Sequence, residues 1–354
     1  RNGYKMKSKL LMLTAVFMLL LSTAVYAQNS CGDNAVWSLA NGVLTISGSG
    51  EISDYSKEAP APWKNNAAEI EKIKIENGIT KIGSRSFSDL TSLKIAEMPQ
   101  SLTSIGERAF YGCSSIKSID IPDSVTSIEN GAFNGCVNAA RINMPSGLKK
   151  IGDSAFMNIP KITVVTIPDG VTQIGDWAFF GDTSVKAVYF NGKPSVQFGK
   201  FVFGRTDENL LIYCPQEYEA EWKNSGYFAK DILKAFNPQN RIGVFVNDSE
   251  VVFDQQPVII NDRTLVPVRA IFEAMGAVVG WEEETNTVVS ERNGVIIKIS
   301  IGADSMEKGS EAVSLDVPAQ IIGDRTLVPL RAISEAFGAR VTWNGNDRSI
   351  DISL

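Results

Sequence analysis

Apolar residues recur along this chain with a period of 23, far longer than a helical turn or a strand alternation produces. One ladder runs through Ile82, Ile105, Ile128, Ile151 and Ile174, each opening a motif of the form I-G-x-x-A-F. A looser sixth copy, Phe198 to Phe203, follows one residue late. Glu129 stands for the glycine in the third copy and Ser86 for the alanine in the first. A second ladder is Met98, Ile121, Met144 and Ile167, each followed by proline, and a third is Ile79, Leu102, Val125, Leu148 and Val171. One such unit buries too little apolar surface to offset its own ordering, so the copies must stack into a solenoid. Within a unit, Ser118-Ile119-Asp120-Ile121 alternates as a short strand, and Pro122 ends it because it has no ladder donor. The A-F-x-x-C stretch predicts a short helical turn that drops Phe110 and its equivalents into the core. Leu90, Cys113, Cys136 and Ile159 share one position, which predicts a small buried apolar residue there.

The outward residues of the strands define one surface. Alternation turns Lys72 and Lys74, Ile95 and Glu97, Ser118 and Asp120 outward, and in later copies Arg141 and Asn143, Val164 and Thr166, Ala187 and Tyr189. Glu97, Asp120, Asn143, Thr166 and Tyr189 align as one polar column. It reads either as a solvated sheet face or as a ligand face, with Arg141 and Tyr189 the contact residues that binding hot spots favour.

Beyond Asn237-Pro238-Gln239-Asn240 the period changes to 62. Asp262-Arg263-Thr264-Leu265-Val266-Pro267 opens a segment that ends at Trp281, and Asp324 to Pro329 opens its repeat, ending at Trp343. In each copy a strand meets a turn, a proline starts a helix, and a glycine, Gly276 or Gly338, stops it. A further strand then follows, and Asn344-Gly345 signals a hairpin. Arg269 with Glu273 and Arg331 with Glu335 are i,i+4 pairs, read as support of a helix surface or as part of a site.

Composition narrows the function. The chain has 354 residues, 44% of them hydrophobic, and a formal net charge of −6, with no basic cluster to neutralise a nucleic acid. The acidic run Glu282-Glu283-Glu284 reads as a solvated turn rather than a cation site. Met6, Lys7 and Lys9 lead into an apolar run from Leu10 to Leu21 and then small residues up to Ala27, the pattern of a secretory signal peptide over residues 1–27. Cys31 invites a lipoprotein reading, although Gln28-Asn29-Ser30 lacks the usual apolar residue. Cys113 and Cys136 sit on adjacent rungs, as free thiols or as a bridge, while Cys31 and Cys214 flank the repeats too far apart to pair. The complete absence of histidine removes Ser-His-Asp and Cys-His machinery, imidazole bases and histidine-ligated metals. A carboxylate-pair glycosidase remains formally open.

The repeat residues resemble the bacterial surface-antigen class of leucine-rich repeats. The likeness takes in Cys31 to Trp63 as a small β cap and Tyr213 to Trp222 as an exit strand and capping helix. The duplicated segment resembles the N-terminal domain of copper amine oxidases, an accessory, stalk-like or envelope-binding module. The fold expected is an α/β leucine-rich repeat solenoid with a small N-terminal β cap, followed by a separate duplicated α+β domain. Its boundaries are cap 28–66, solenoid 67–215, capping helix and linker 216–242, and C-terminal domain 243–354. The resemblance implies a secreted or surface-displayed interaction module, often linked to adhesion, and the missing histidine leads to the expectation of a non-catalytic protein without cofactor or metal. Either the solenoid contacts an extracellular protein or glycan through Glu97, Asp120, Arg141, Asn143, Thr166 and Tyr189, or the rear domain binds cell-wall glycan and the chain is structural. No sortase motif or apolar terminal helix ends the sequence, so any surface attachment is expected to be non-covalent, with no transmembrane segment in the mature chain.

Overall fold

A computed structural model describes residues 29–345 and 347–354, so the signal peptide expected over residues 1–27 lies outside the described residues. The repeats form a parallel-strand solenoid of about seven turns over residues 72–236, and a sheet-rich domain follows it. The chain divides into two compact units. The first runs to Ile159 and includes Gly170–Asp182 and Val196–Arg205; the second holds Pro160–Asp169, Thr183–Ser195 and Thr206–Leu354.

In the first unit a hairpin seeds the repeats. Asn34–Ala40 pairs antiparallel with Val43–Glu51 across Asn41-Gly42, whose φ values of 50° and 75° match the right-handed strand twist. The longer strand then pairs in parallel with Lys72–Ile75 and, after a bulge at Gly50/Glu51, with Ile79–Ile82, so it templates two ladders. One ladder continues from Lys72–Ile75 to Ile95–Glu97, and a further pair joins Ser118–Asp120 to Arg141–Asn143. In the other, Ile82, Ile105, Ile128, Ile151 and Ile174 pair in register as one buried column. Phe198 completes that column opposite Ile174, which absorbs the extra residue of the sixth copy.

The predicted helical turn forms only as separate i→i+3 bonds, from Ala109 N to Gly106 O, Tyr111 N to Arg108 O and Cys113 N to Phe110 O (3.2–3.3 Å), which do not join into a helix. The amide of Phe110 donates to Ala132 O on the next rung (2.7 Å), as Phe87 does to Ala109 O and Phe133 to Ala155 O (both 2.8 Å). Arg85 and Arg108 donate to the next rung in the same way. An N–H committed to a neighbouring rung cannot close a bond within its own turn. Aiming those amides places Arg85, Arg108, Ser154, Trp177 and Phe201 at φ between 53° and 56°, with Gly131 at 63°. The expected burial holds. Trp63, Phe87, Phe110, Phe133, Phe156, Phe179 and Phe203 stack with ring centroids 5.2–5.5 Å apart. Cys113 and Cys136 are buried and unbridged, their thiols donating to Phe87 O (3.0 Å) and Phe110 O (3.4 Å).

In the second unit four parallel strands, Val164–Ile167, Ala187–Phe190, Leu211–Pro215 and Leu233–Phe236, form one sheet. Helix α1 (Glu219–Ser225) covers one side of it, its buried Trp222 packed 4.6 Å from the Phe190 ring and donating Nε1–H to Gly192 O (3.0 Å). The duplicated region folds as an intertwined pair. Helices α2 (Val268–Ala274) and α3 (Leu330–Ala336) begin where Pro267 and Pro329 leave off. Strands Arg263–Pro267 and Arg325–Pro329 run antiparallel with Val266 opposite Val328. The first hairpin of one copy joins the last hairpin of the other. Gly243–Val246 pairs with Ser349–Ser353, and Ser305–Lys308 reaches Thr287–Arg292 through Val295–Ser300. One apolar core, from Val244 to Ile352, draws on both copies, with Phe272 edge-on to Phe337 at 5.3 Å.

Candidate binding face of the solenoid

The outward residues of the first unit are tied across rungs rather than left loose. Lys72 Nζ lies 2.5 Å from Glu97 Oε1. Asp120 accepts from Ser118 Oγ at 2.6 Å and from the Asn143 side-chain amide, while Arg141 Nε donates to Asn143 Oδ1 at 3.0 Å. Register explains these contacts, because Asp120 stands opposite Asn143 and Ser118 opposite Arg141. Glu97 and Asp120 are exposed, Arg141 and Asn143 half-buried. Beside them Ile95 leaves 53% of its surface in water. The face therefore offers a fixed array of carboxylate, amide and guanidinium groups next to one apolar contact.

In the second unit the outward column reads Thr166, Tyr189 and Tyr213. Thr166 is half-buried. Tyr189, expected to be an accessible contact residue, points outward but is only 3% exposed, and this corrects the sequence expectation. The Arg241 guanidinium lies 4.2 Å from the Tyr189 ring centre, and Gln256 Nε2 donates to the Tyr189 hydroxyl at 3.1 Å. Arg241 is ion-paired to Glu250, whose carbonyl accepts from Thr163 Oγ1 at 2.6 Å. Tyr189 stacks on Tyr213 at 4.4 Å within a cluster that holds Val164, Ala187 and Phe236. Burial pushes the Tyr189 hydroxyl above its ordinary pKa, against the opposing pull of Arg241.

Arg241, Glu250 and Gln256 carried no sequence signal as partners of the solenoid. The strands that they cover did carry one. Outward positions that are Lys, Glu, Ser and Asp in early copies become Val164, Ala187 and Tyr189, the mark of a sheet face about to be covered. Among the described residues no group of three or more His, Cys, Asp or Glu is placed to hold a metal ion, and no helix is long and apolar enough to cross a membrane.

Comparison with known proteins finds likenesses to both parts. No curated protein matches the chain. Among solved structures it is similar to a leucine-rich repeat protein of T. pallidum, at 21% identity and a TM-score of 0.42, covering 56% of this chain and 96% of that one. A leucine-rich cell surface protein of Faecalibacterium prausnitzii is 22% identical with a TM-score of 0.41, and the match covers 67% of this chain and 57% of that one. A leucine-rich repeat protein of Eubacterium ventriosum is 22% identical with a TM-score of 0.27, covering 52% and 71%. Residues 64–186 match the BspA type leucine-rich repeat region in six copies, and residues 245–352 match the copper amine oxidase N-terminal domain. The solenoid is thus similar to the BspA type leucine-rich repeat region, and the C-terminal domain to the copper amine oxidase N-terminal domain.

Proposed function

We propose that this is a non-catalytic binding protein of the bacterial exterior, which holds a protein or glycan ligand on the outward solenoid face at Glu97, Asp120, Arg141 and Asn143. The observation that carries this reading is the cross-rung network itself. Asp120, Asn143 and Arg141 are held by one another and need little further ordering when a ligand arrives. Exposed Ile95 supplies an apolar contact beside them. Thr166 is the remaining candidate on the second unit, whereas covered Tyr189 is withdrawn as a contact. The test is an array of extracellular-matrix proteins and glycans probed with the full chain and with Arg141→Ala and Asp120→Ala. Retention that falls about tenfold in both variants at unchanged melting temperature supports the face. Equal retention by variants and parent removes it.

A further inference from the structure

The intertwined domain contains the same cleft twice. A cleft of about 920 Å³ includes Asp254, Arg269, Glu273, Trp281 and Arg325 in its lining. A second, of about 760 Å³, includes Asp316, Arg331, Glu335, Trp343 and Arg263. Each residue of one set has its counterpart 62 positions away in the other, and each cleft takes its last arginine from the opposite copy. That arginine is fixed by the aspartate. Arg325 Nε lies 2.6 Å from Asp254 Oδ2, and Arg263 Nε lies 2.5 Å from Asp316 Oδ2.

Between 262–281 and 324–343, buried Leu265, Val266, Ile271 and Ala277 are shared with Leu327, Val328, Ile333 and Ala339, while Val268, Phe272 and Met275 give way to Leu330, Ser334 and Phe337. Exposed Arg263, Arg269, Glu273 and Trp281 are identical to Arg325, Arg331, Glu335 and Trp343. Exposed Val278 and Gly280 have become Arg340 and Thr342, so surface positions do drift between the copies and the shared exposed set stands out against them. Helix support accounts for an Arg–Glu pair but not for tryptophans left 45% and 42% exposed. Packing of the solenoid does not account for them either. Thr163, Lys186, Leu211 and Tyr213 wall only the first cleft. Where that wall is missing, Val246 and Val252 give way to Lys308 and Ser314 while the shared set stays unchanged.

We propose that these are two copies of one binding site for an uncharged oligosaccharide, with Trp281 and Trp343 as the platforms on which a sugar ring lies. An indole face covers the C–H surface of a pyranose and its rigidity lowers the entropy lost on binding. A guanidinium pinned by a carboxylate presents planar donors to hydroxyl and acetamido oxygens, and the Arg331–Glu335 pair (4.0 Å) adds a donor and an acceptor together. Each cleft carries four carboxylates against three cations, so neither concentrates a polyanion. The sites give a glycan-binding role of this domain its residues and stand independently of the solenoid face.

The test is calorimetric titration of the full chain with the hexamer of N-acetylglucosamine. Two sites per chain are expected, with one lost in Trp343→Ala or Trp281→Ala and binding weakened about tenfold or more in the double variant. In the unaltered chain the hexamer should protect Trp281 and Trp343, but not the equally exposed Trp177, from N-bromosuccinimide oxidation mapped by mass spectrometry. That readout stands even if the double variant fails to fold. Absence of hexamer binding, undiminished binding by a folded double variant, protection of neither tryptophan, or binding of heparin or a peptide in place of the sugar would each overturn the proposal.

Discussion

The ring of Tyr189, on the last turns of the solenoid, lies under the guanidinium of Arg241 at 4.2 Å, and the ion pair of Arg241 with Glu250 is itself largely withdrawn from water, at 18% and 13% side-chain exposure. Removing one partner leaves the other charge buried without compensation. Arg241→Ala should cost about 3 kcal/mol of stability, and a double Arg241→Ala, Glu250→Ala variant should recover part of that loss. Urea unfolding checks both. A single variant with an unchanged midpoint would show that the pair stabilises nothing.

Asp182 occupies the ladder position of Leu90, Cys113, Cys136 and Ile159 and is fully buried. It accepts the Ile159 amide at 2.6 Å through one oxygen, while the other has no hydrogen-bond partner. Burial pushes its carboxyl up to about 9, the Ile159 N–H opposing. The folded state thus keeps a proton that the unfolded chain releases near the ordinary value of 3.8. The associated stability is complete below that value and is lost as pH rises toward 9, at up to about 1.4 kcal/mol per pH unit. Asp182→Leu should flatten this dependence and raise the melting temperature at pH 8 but not at pH 4. Melts that run parallel across that range would refute the assignment.

All four cysteines are buried and unbridged. Desolvation lifts Cys31 and Cys136 to about 12 and Cys214 to about 11, and holds Cys113 well above its ordinary value. Since the thiolate is the nucleophile, a disulfide reagent at pH 8 should label none of them in the native chain and all four after denaturation. Rapid labelling of native protein would show that these rungs open.

The hairpin exchange in the C-terminal domain makes each copy dependent on the other. Residues 243–304 alone lack the strand Ser349–Ser353 that pairs with Gly243–Val246, and should give no cooperative melt. Mixing them with residues 305–354 should restore one. Cooperative melting of the first copy by itself would mean that the exchange is dispensable.

The legible parts of this fold are those in which one residue type repeats at a fixed spacing. Ile105 to Ile174 announce the column because each rung repeats the burial of the one before. The path between them was not legible. Whether the amide of Phe110 closes its own turn or crosses to Ala132 is decided by a neighbouring rung, and arginine at φ 53° gives no local warning as glycine would. The covering of Tyr189 was half legible, in the drift of outward positions toward Val164 and Ala187. The hairpin exchange left no trace, because strand alternation specifies which face is buried and not which copy supplies the partner strand. Of the candidate face, alternation gave the outward direction of Glu97, Asp120, Arg141 and Asn143, but not the bonds that lock them.

The pairing of Gly243–Val246 with Ser349–Ser353 has a mechanical consequence. These strands are parallel neighbours at opposite ends of the domain's sequence. Tension applied through residues 243 and 353 slides one along the other, so their hydrogen bonds bear the load together instead of parting one at a time. A domain threaded this way resists pulling along its chain axis.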